Sequence, residues 1–490
     1  MKIKQLFKAI NECQIIGSKE SIVTGISANS KAIGPGHLFM AIRGKTFDGS
    51  HFVPDAIRAG ASAILTDLYD PSLKNVIQII HPNVADIEAL VAAEFYGHPS
   101  NDLLMVGITG TNGKTTSSFI IKHLLDNFFG PCGLIGTIEY IVGRQHYEAS
   151  RTTPDAVTNQ KLLREMCRAG SKSAVMETTS HALDQGRVGQ IDFDTAIFTN
   201  LTLDHLDYHS TIEQYAKAKK SLFENLGNLK KTKKLAKWAL INQDSSWADY
   251  MKEGCQANCL TYGIDNPADL QAHSIRLMQN GSYAKVSYDG KTQEFFWPFT
   301  GRFNVYNCLA ALGVIVTRGV GLSEAAEKMS SLPPVRGRMQ RIPNQLELEI
   351  YVDFAHSDDA LASVLSCLSE LRKGRLIVVF GCGGDRDKAK RPKMAQACER
   401  FADFAIVTTD NPRSEDPELI CQEIVKGFTN KALYCVELDR REAIKKAIEI
   451  GKKGDTILIA GKGHEPYQVF AHQTLEFDDA KVAAEIVYTN

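Results

Sequence analysis

The 490-residue chain has almost no net charge, with 56 Lys and Arg against 57 Asp and Glu, a balance of -1. Such a surface offers no electrostatic footprint for nucleic acid or an anionic membrane. Long hydrophobic runs are missing too, and none approaches the ~18 residues of a membrane span. The start, Met1-Lys2-Ile3-Lys4-Gln5-Leu6 and onward, lacks the apolar stretch and small-residue cleavage site of a signal peptide. A second cysteine pair at metal-finger spacing is also absent, for of eleven cysteines only Cys255 and Cys259 lie close together and no partnering pair accompanies them. An odd, dispersed set reads as reduced thiols in a cytoplasm. No repeat or low-complexity segment interrupts the chain. Secreted, membrane-spanning, structural-zinc and nucleic-acid-binding classes are set aside on these grounds.

What is present is the composition of a globular enzyme, 44% hydrophobic and 23% charged. At roughly 150 residues per domain the length suggests about three. Two clusters of breakers suggest the borders. Tyr96-Gly97-His98-Pro99-Ser100-Asn101 separates a helical pattern (Ile87 to Phe95) from an apolar run (Leu103 to Thr109). Pro333-Pro334 stops a helix around Glu324 to Ser330. Domains are therefore expected at 1–101, 102–335 and 336–490. The second and third alternate β-branched runs with helical patterns, which argues for an α/β fold with mostly parallel sheets. In the last third the runs Leu376–Phe380, Phe404–Thr409 and Thr456–Ala460 each lead into a polar, Gly-rich or Pro-rich loop, where ligands of such sheets gather.

The most informative segment is Gly110-Thr111-Asn112-Gly113-Lys114-Thr115-Thr116, between an expected strand and an amphipathic helix from Lys114 to Leu125. Glycines let backbone N–H groups face a phosphate, Lys114 brings a cation, Thr115 a hydroxyl for Mg²⁺, and the helix start a favourable dipole. The strict G-x-x-x-x-G-K-[ST] pattern fails, because position 108 is Ile and the earlier glycine is Gly107. Two further strands end in Glu177 and in Asn200-Leu201-Thr202-Leu203-Asp204-His205, placing an acid and an imidazole where an ATP-bound Mg²⁺ would sit. Taken singly, His205 reads more readily as a loop residue with a satisfied hydrogen bond than as a ligand. Ser210-Thr211-Ile212-Glu213 resembles a capping box opening a helix whose apolar face is Ile212, Tyr215, Ala216, Leu222 and Phe223. Lys219 falls within that face, while Lys217 and Lys220 are expected to point away. Lys219 is either a snorkelling lysine or a desolvated one with a reactive neutral amine.

These residues resemble the Mur ligase family, the ATP-dependent ligases that add amino acids to the peptidoglycan precursor. The resemblance runs through GTNGKTT, ETTSHAL from Glu177, NLTLDHLDYH from Asn200, GRFNVYN from Gly301, VRGRM from Val335 and DFAHSDDAL from Asp353. It continues in GGDRDKAKRP from Gly383, DNPR from Asp410 and GKGHEPYQ from Gly461. It implies a UDP-binding N-terminal domain, a central P-loop ATPase and a Rossmann-like C-terminal domain. Ala28, Ser30, Lys45, Thr46 and Phe47 match positions holding the UDP-sugar. Thr152, Thr153, Thr179, Gln185 and Arg187 match those gripping the muramoyl-dipeptide. Asn304, Arg338 and Asp353 match contacts to ATP, alongside the Gly110–Thr116 loop. Arg386, Asp410, Asn411, Pro412, Arg413, Gly461 and Glu465 match the amino-acid site, and the DNPR loop is similar to that of members using meso-2,6-diaminopimelate, not L-lysine.

Lys219 matches the family's carbamylated lysine, which makes Lys114, Glu177, His205 and Lys219 the implied catalytic residues. One Mg²⁺ is implied near Thr115 and Glu177 and a second near His205 and the Lys219 carbamate. The implied partners are small molecules: ATP, the UDP-linked muramoyl-L-Ala-D-Glu and diaminopimelate, with a cytoplasmic monomer expected. Three positions depart from the family pattern: Asp358 stands where Pro is usual, Asn29-Ser30-Lys31 replaces Asp-Ser-Arg, and ETTSH replaces EVSSH. Among rival readings, folylpolyglutamate synthetase should lack the DNPR and GKGHE loops, and the D-Ala-D-Ala-adding ligase lacks DNPR. An ATP-binding switch would not need Arg386, Arg413 and Glu465. A dinucleotide-binding oxidoreductase is weakened because Gly381-Cys382-Gly383-Gly384-Asp385-Arg386 lacks the last glycine of its fingerprint.

Overall fold

A computed structural model describes residues 1–44, 48–227 and 235–489. Among the described residues three large sheets carry the chain in order, with a two-stranded one added at Tyr467–Val469 and Thr474–Glu476. The first has five strands, ordered Gln14–Ile16, Ile77–Ile80, Ala63–Thr66, Leu38–Met40 and Ile26–Ser27, parallel except for the antiparallel first pair. The helix Val84–Tyr96 closes this unit, and Arg164 of the next one donates to the Tyr96 and Gly97 carbonyls, both at 2.7 Å.

The central sheet has eleven strands. Its parallel middle runs Cys132–Ile135, Ser173–Glu177, Leu104–Thr109, Thr195–Phe198, Trp238–Asn242 and Asn258–Gly263, with antiparallel strands at both ends. Strands buried on both faces read as near-continuous apolar runs, which is why Leu104-Met105-Val106-Gly107-Ile108 stood out. The helix Lys114–Phe129 runs four residues beyond its expected end at Leu125. The helix Arg302–Val316 is buried on every side from Cys308 to Val316, lying between Lys114–Phe129 and the strands.

The third sheet orders its strands Gln340–Ile342, Glu349–Asp353, Thr456–Ala460, Leu376–Phe380, Phe404–Val407 and Tyr434–Val436, parallel except for the first. The strand expected to reach Thr409 leaves its ladder after Val407, so Thr408 and Thr409 already belong to the loop. Together the sheets make the expected α/β architecture. None of the described helices is long and apolar enough to cross a membrane.

Two expectations near the site need correction. The helix at Ile212 is capped by Thr211, whose Oγ1 accepts from Gln214 N at 3.2 Å, and Ser210 instead sits at φ 65°, so the cap falls one residue later than expected. Lys220 does not point to solvent. It is buried against Tyr250 and paired with Glu253 at 2.8 Å, because the helix Ala248–Lys252 covers that side.

Candidate active site

The Leu104–Thr109 strand pairs on one side with Ser173–Glu177 and on the other with Thr195–Phe198. Strand order reverses there, which opens a crevice at the C-terminal strand ends. The loop Gly110–Gly113 fills it. Gly110 (φ 149°) leaves no room for a side chain, because a β-carbon would collide with Thr199 Oγ1, and Gly113 (φ 87°) is likewise pressed on Asn307 Oδ1. The next loop braces it: Thr199 Oγ1 donates to Asn112 O at 2.7 Å, and Asn200 Oδ1 accepts from Asn112 N at 2.9 Å.

Two amines converge on one carbonyl. Lys114 Nζ donates to Gly110 O at 2.8 Å and to Thr111 O at 2.9 Å, while Lys219 Nζ donates to Gly110 O at 3.0 Å. Lys219 is 1% exposed and lies 4.3 Å from the Tyr215 ring centroid, so it does not snorkel. Burial, and then the charge of Lys114, press the Lys219 pKa well below the ordinary lysine range. Burial also lowers that of Lys114, against the pull of Glu177 and Asp204.

Glu177 is fully buried at the end of its strand. Its Oε2 accepts from Thr115 Oγ1 at 2.9 Å and Thr137 Oγ1 at 2.8 Å, and its Oε1 from Thr137 N at 2.9 Å. Hard oxygen donors around one carboxylate suit Mg²⁺, which is held by one or two carboxylates plus substrate phosphates. No three His, Cys, Asp or Glu among the described residues form a ready-made metal cage. His205, at φ 55°, packs its ring 4.9 Å from His181 and 6.0 Å from Tyr215, the residue under Lys219.

The third sheet closes over this centre. Arg338 Nη2 donates to Thr115 Oγ1 at 3.2 Å, and its guanidinium lies 4.5 Å from the Phe354 ring centroid. Asp353 accepts from Met339 N at 2.7 Å and Ala355 N at 2.8 Å, and burial raises its pKa. Asn304 Oδ1 accepts from Asn307 Nδ2 at 3.0 Å, and Ser117 Oγ of the phosphate-loop helix donates to Asn307 Oδ1 at 3.3 Å. The expected nucleotide residues thus form one connected set.

The expected dipeptide residues also cluster. Thr152 Oγ1 lies 3.1 Å from Thr137 Oγ1, Thr153 Oγ1 donates to Glu177 O at 2.8 Å, and Thr179 Oγ1 lies 3.2 Å from Thr153 Oγ1. Arg187 donates to Thr153 O at 3.1 Å and, through Nε, to Gln185 Oε1 at 2.9 Å. Ala28 and Ser30 lie on the first unit, with no hydrogen bond among the described residues joining them to this cluster. Lys45, Thr46 and Phe47 lie outside the described residues.

All three departures are accommodated locally. Asn29 Oδ1 accepts from Lys31 N at 3.0 Å, as an aspartate would. Asp358 is the first residue of its helix after the cap Ser357, a place where Pro is favoured by its fixed φ and Asp by the helix dipole. Thr178 donates to Ile108 O at 3.0 Å.

At the C-terminal loops, Asn411 Nδ2 donates to Glu465 Oε2 at 2.7 Å, and Arg413, at φ 53°, donates to Gly384 O at 2.8 Å. Pro412 is buried, Gly461 passes against the Asp410 carboxylate, and Arg386 is exposed beside Arg413 across Gly383. Among the described residues Arg413 makes no surface ion pair with Glu415 or Asp416. Glu415 is taken by Lys388 at 3.1 Å and by the buried Arg391 at 3.0 Å. Burial beside Asp410 raises the Glu465 pKa against the pull of Lys462.

Sequence reasoning missed Thr137, Asn307, Lys462, Arg391 and Arg440. Lys462 was within reach, since it stands inside the GKGHE segment. It is fully buried and donates to Asn411 Oδ1 at 3.2 Å and to the Tyr467 carbonyl.

A phosphate loop gripped by two lysine amines and roofed by a second, mostly parallel sheet defines a nucleoside-triphosphate-using enzyme. Residues 22–96 match the Mur ligase family catalytic domain, 108–315 the Mur ligase middle domain and 337–463 the Mur ligase glutamate ligase domain. The UDP-N-acetylmuramoyl-L-alanyl-D-glutamate–2,6-diaminopimelate ligase of Chlamydia pneumoniae is 42% identical over 99% of both chains. The ligase of the same name from Geobacillus thermodenitrificans is 38% identical over 99% of both. A solved structure of a ligase with that name superposes with a TM-score of 0.70 at 31% identity, covering 100% of this chain and 99% of that one. The chain belongs to the Mur ligase family and is an ATP-dependent ligase.

Proposed function

We propose that this enzyme joins meso-2,6-diaminopimelate to UDP-N-acetylmuramoyl-L-alanyl-D-glutamate, forming the nucleotide-linked tripeptide of peptidoglycan synthesis with release of ADP and phosphate. The observation that carries this reading is the Arg338–Thr115 hydrogen bond, which seats the sheet bearing the DNPR loop against the phosphate loop. The full-length likeness to ligases named for these substrates supports it. We assign residues 1–101 to the UDP-sugar, 102–335 to ATP and the dipeptide, and 336–490 to the amino acid, with the enzyme a cytoplasmic monomer.

A carboxylate is a poor electrophile, so amide formation begins with phosphoryl transfer to the D-glutamate γ-carboxylate. Two anions must meet, and preorganised cations lower that barrier. Lys114 turns from its own loop carbonyls toward the β- and γ-phosphates. Arg338 neutralises charge from above. Arg187 and the Thr152–Thr153 turn orient the carboxylate. Thr115 and Glu177 would hold one Mg²⁺, and His205 with a carbamylated Lys219 a second, and the ions would neutralise part of the charge of the two anions. The buried, neutral-leaning Lys219 amine fits carbamylation, in which the amine attacks CO₂ and loses one proton. The diaminopimelate amine then attacks the acyl phosphate and phosphate leaves. Arg413, assisted by Arg386, grips the distal carboxylate, and Glu465 holds an ammonium group.

Phosphate release measured with ATP, the UDP-linked dipeptide and either diaminopimelate or lysine tests the assignment. Release that depends on diaminopimelate, at least ~10³-fold better than on lysine, is expected for a site whose arginine would otherwise be left unpaired. Equal use of lysine would overturn it.

A further inference from the structure

Beneath the acceptor loops lies a guanidinium almost without solvent contact. Arg440 opens the helix Arg440–Ile450 and is 1% exposed, and Asp479, which opens the last helix, is 0% exposed. They form a bidentate pair, Nε to Oδ1 and Nη2 to Oδ2, both at 2.7 Å. The remaining donors reach two backbone carbonyls, Ala460 O at 3.0 Å and Thr409 O at 3.4 Å.

Those carbonyls are placed tellingly. Thr409 immediately precedes Asp410 of the DNPR loop, and Ala460 immediately precedes Gly461 of the GKGHE loop. Their strands are not neighbours, since Leu376–Phe380 lies between them in the sheet. No shared ladder therefore fixes the spacing of the two loops at their roots. Arg440 spans the intervening strand end and ties both to one rigid, planar group. The anchor is itself held: the adjacent Asp478 accepts from Arg336 Nη2 at 2.6 Å, two residues before Arg338.

A buried ion pair seldom stabilises a fold more than apolar residues of similar volume would. Its particular product here is geometry. We propose that Arg440, clamped by Asp479, is a positioning residue that sets the distance between the Asp410–Arg413 and Gly461–Glu465 loops, and so the fit of the diamino-acid acceptor. The inference rests on the acceptor assignment made under Proposed function.

The test uses the full-length enzyme with all three substrates. The paired substitution Arg440→Met with Asp479→Leu removes the charges together, so folding should survive. Its KM for diaminopimelate should rise about 10- to 100-fold, the scale of an acceptor misplaced by an ångström, while KM for ATP stays unchanged. Arg440→Lys, which keeps a donor and the charge, should fall between this variant and wild type. An unchanged diaminopimelate KM in the pair overturns the proposal. If the pair fails to fold, Arg440→Lys decides: a raised KM for diaminopimelate alone supports it, and no change or a matching rise for ATP overturns it. Arg413→Ala is measured in parallel. Should that variant leave the diaminopimelate KM untouched, the acceptor assignment fails; should it alone raise KM, only the role of Arg440 fails.

Discussion

The phosphate loop and the acceptor loops use charge in opposite ways. Around Gly110, two lysine amines crowd onto one carbonyl, desolvated and without a carboxylate in salt-bridge contact among the described residues. Around Arg413, charges are consumed in pairs: Arg391 with Glu415 and Glu423, Lys462 with Glu465, Arg440 with Asp479. The first arrangement is costly until an anion arrives, so its cations are poised for phosphate. The second is neutralised in advance and spends its charges on shape, leaving the Arg413 guanidinium bonded, among the described residues, to carbonyls alone. On the proposed assignment, reactivity sits where charge is unbalanced, and selectivity where it is balanced save for the guanidiniums of Arg413 and Arg386.

The largest effect should come from the unbalanced side. Lys114→Ala is expected to lower kcat by ~10²–10³ or more with folding intact, as for loss of a preorganised group at a transferring phosphoryl. Steady-state phosphate release with near-wild-type kcat would break the contrast. Lys219→Ala should lose at least ~10² in kcat and regain part of it when a short carboxylic acid is added, since that acid replaces the carbamate oxygens. The proposed carbamylation needs a neutral amine to meet CO₂, so at fixed CO₂ its extent should increase as pH rises through the lowered Lys219 pKa. Density for three extra atoms on Nζ, grown with bicarbonate at neutral pH, would check this; a bare ammonium would contradict it.

On the balanced side, Arg413→Ala should shrink the preference for diaminopimelate over lysine by about 10² or more, chiefly through loss of diaminopimelate. Competition kinetics with both amino acids measure it, and full retention of preference would refute the role. The smallest effect concerns Glu415, whose pKa is held down to about 2, first by hydrogen bonds from Arg391. A depressed carboxylate stabilises the fold above its unfolded pKa and loses that contribution as pH falls. Glu415→Gln should therefore lower Tm by about 2–4 °C near neutrality, the scale of a kcal/mol in a domain of ordinary size. That gap should close between the ordinary value of 4.5 and about 2. Thermal melts across this range would show it, and a gap independent of pH would reject it.

What could be read in advance follows the same divide. Local signals revealed the phosphate loop, because strand, glycines, lysine and helix are contiguous, and Lys219, because helical periodicity placed it on an apolar face. The outward placing of Lys220 failed for a complementary reason: its partner Glu253 follows a later helix that no periodicity of the first could announce. Ser210 looked like a cap until its left-handed backbone moved the cap to Thr211. Arg440 and Asp479 are separated by 39 positions and carry no motif, so only the assembled sheet shows them to be a pair. The acceptor loops were visible as sequence strings, but the pairs that shape them were not.

The helix Arg302–Val316 has a consequence for synthesis of the chain. It is apolar from Cys308 to Val316 on every side, filling the space between the phosphate-loop helix and the strands Trp238–Asn242 and Asn258–Gly263. A nascent chain emerging from the ribosome therefore carries the whole phosphate loop and most of its sheet long before it has the piece that plugs their common interior. Until about two hundred further residues have followed Thr109, that interior stays open, and transiently exposed apolar faces of this kind invite chaperones or aggregation. Translation stalled shortly before Arg302 would yield a fragment with every residue of the Gly110–Thr116 loop but without the helix that packs beneath it.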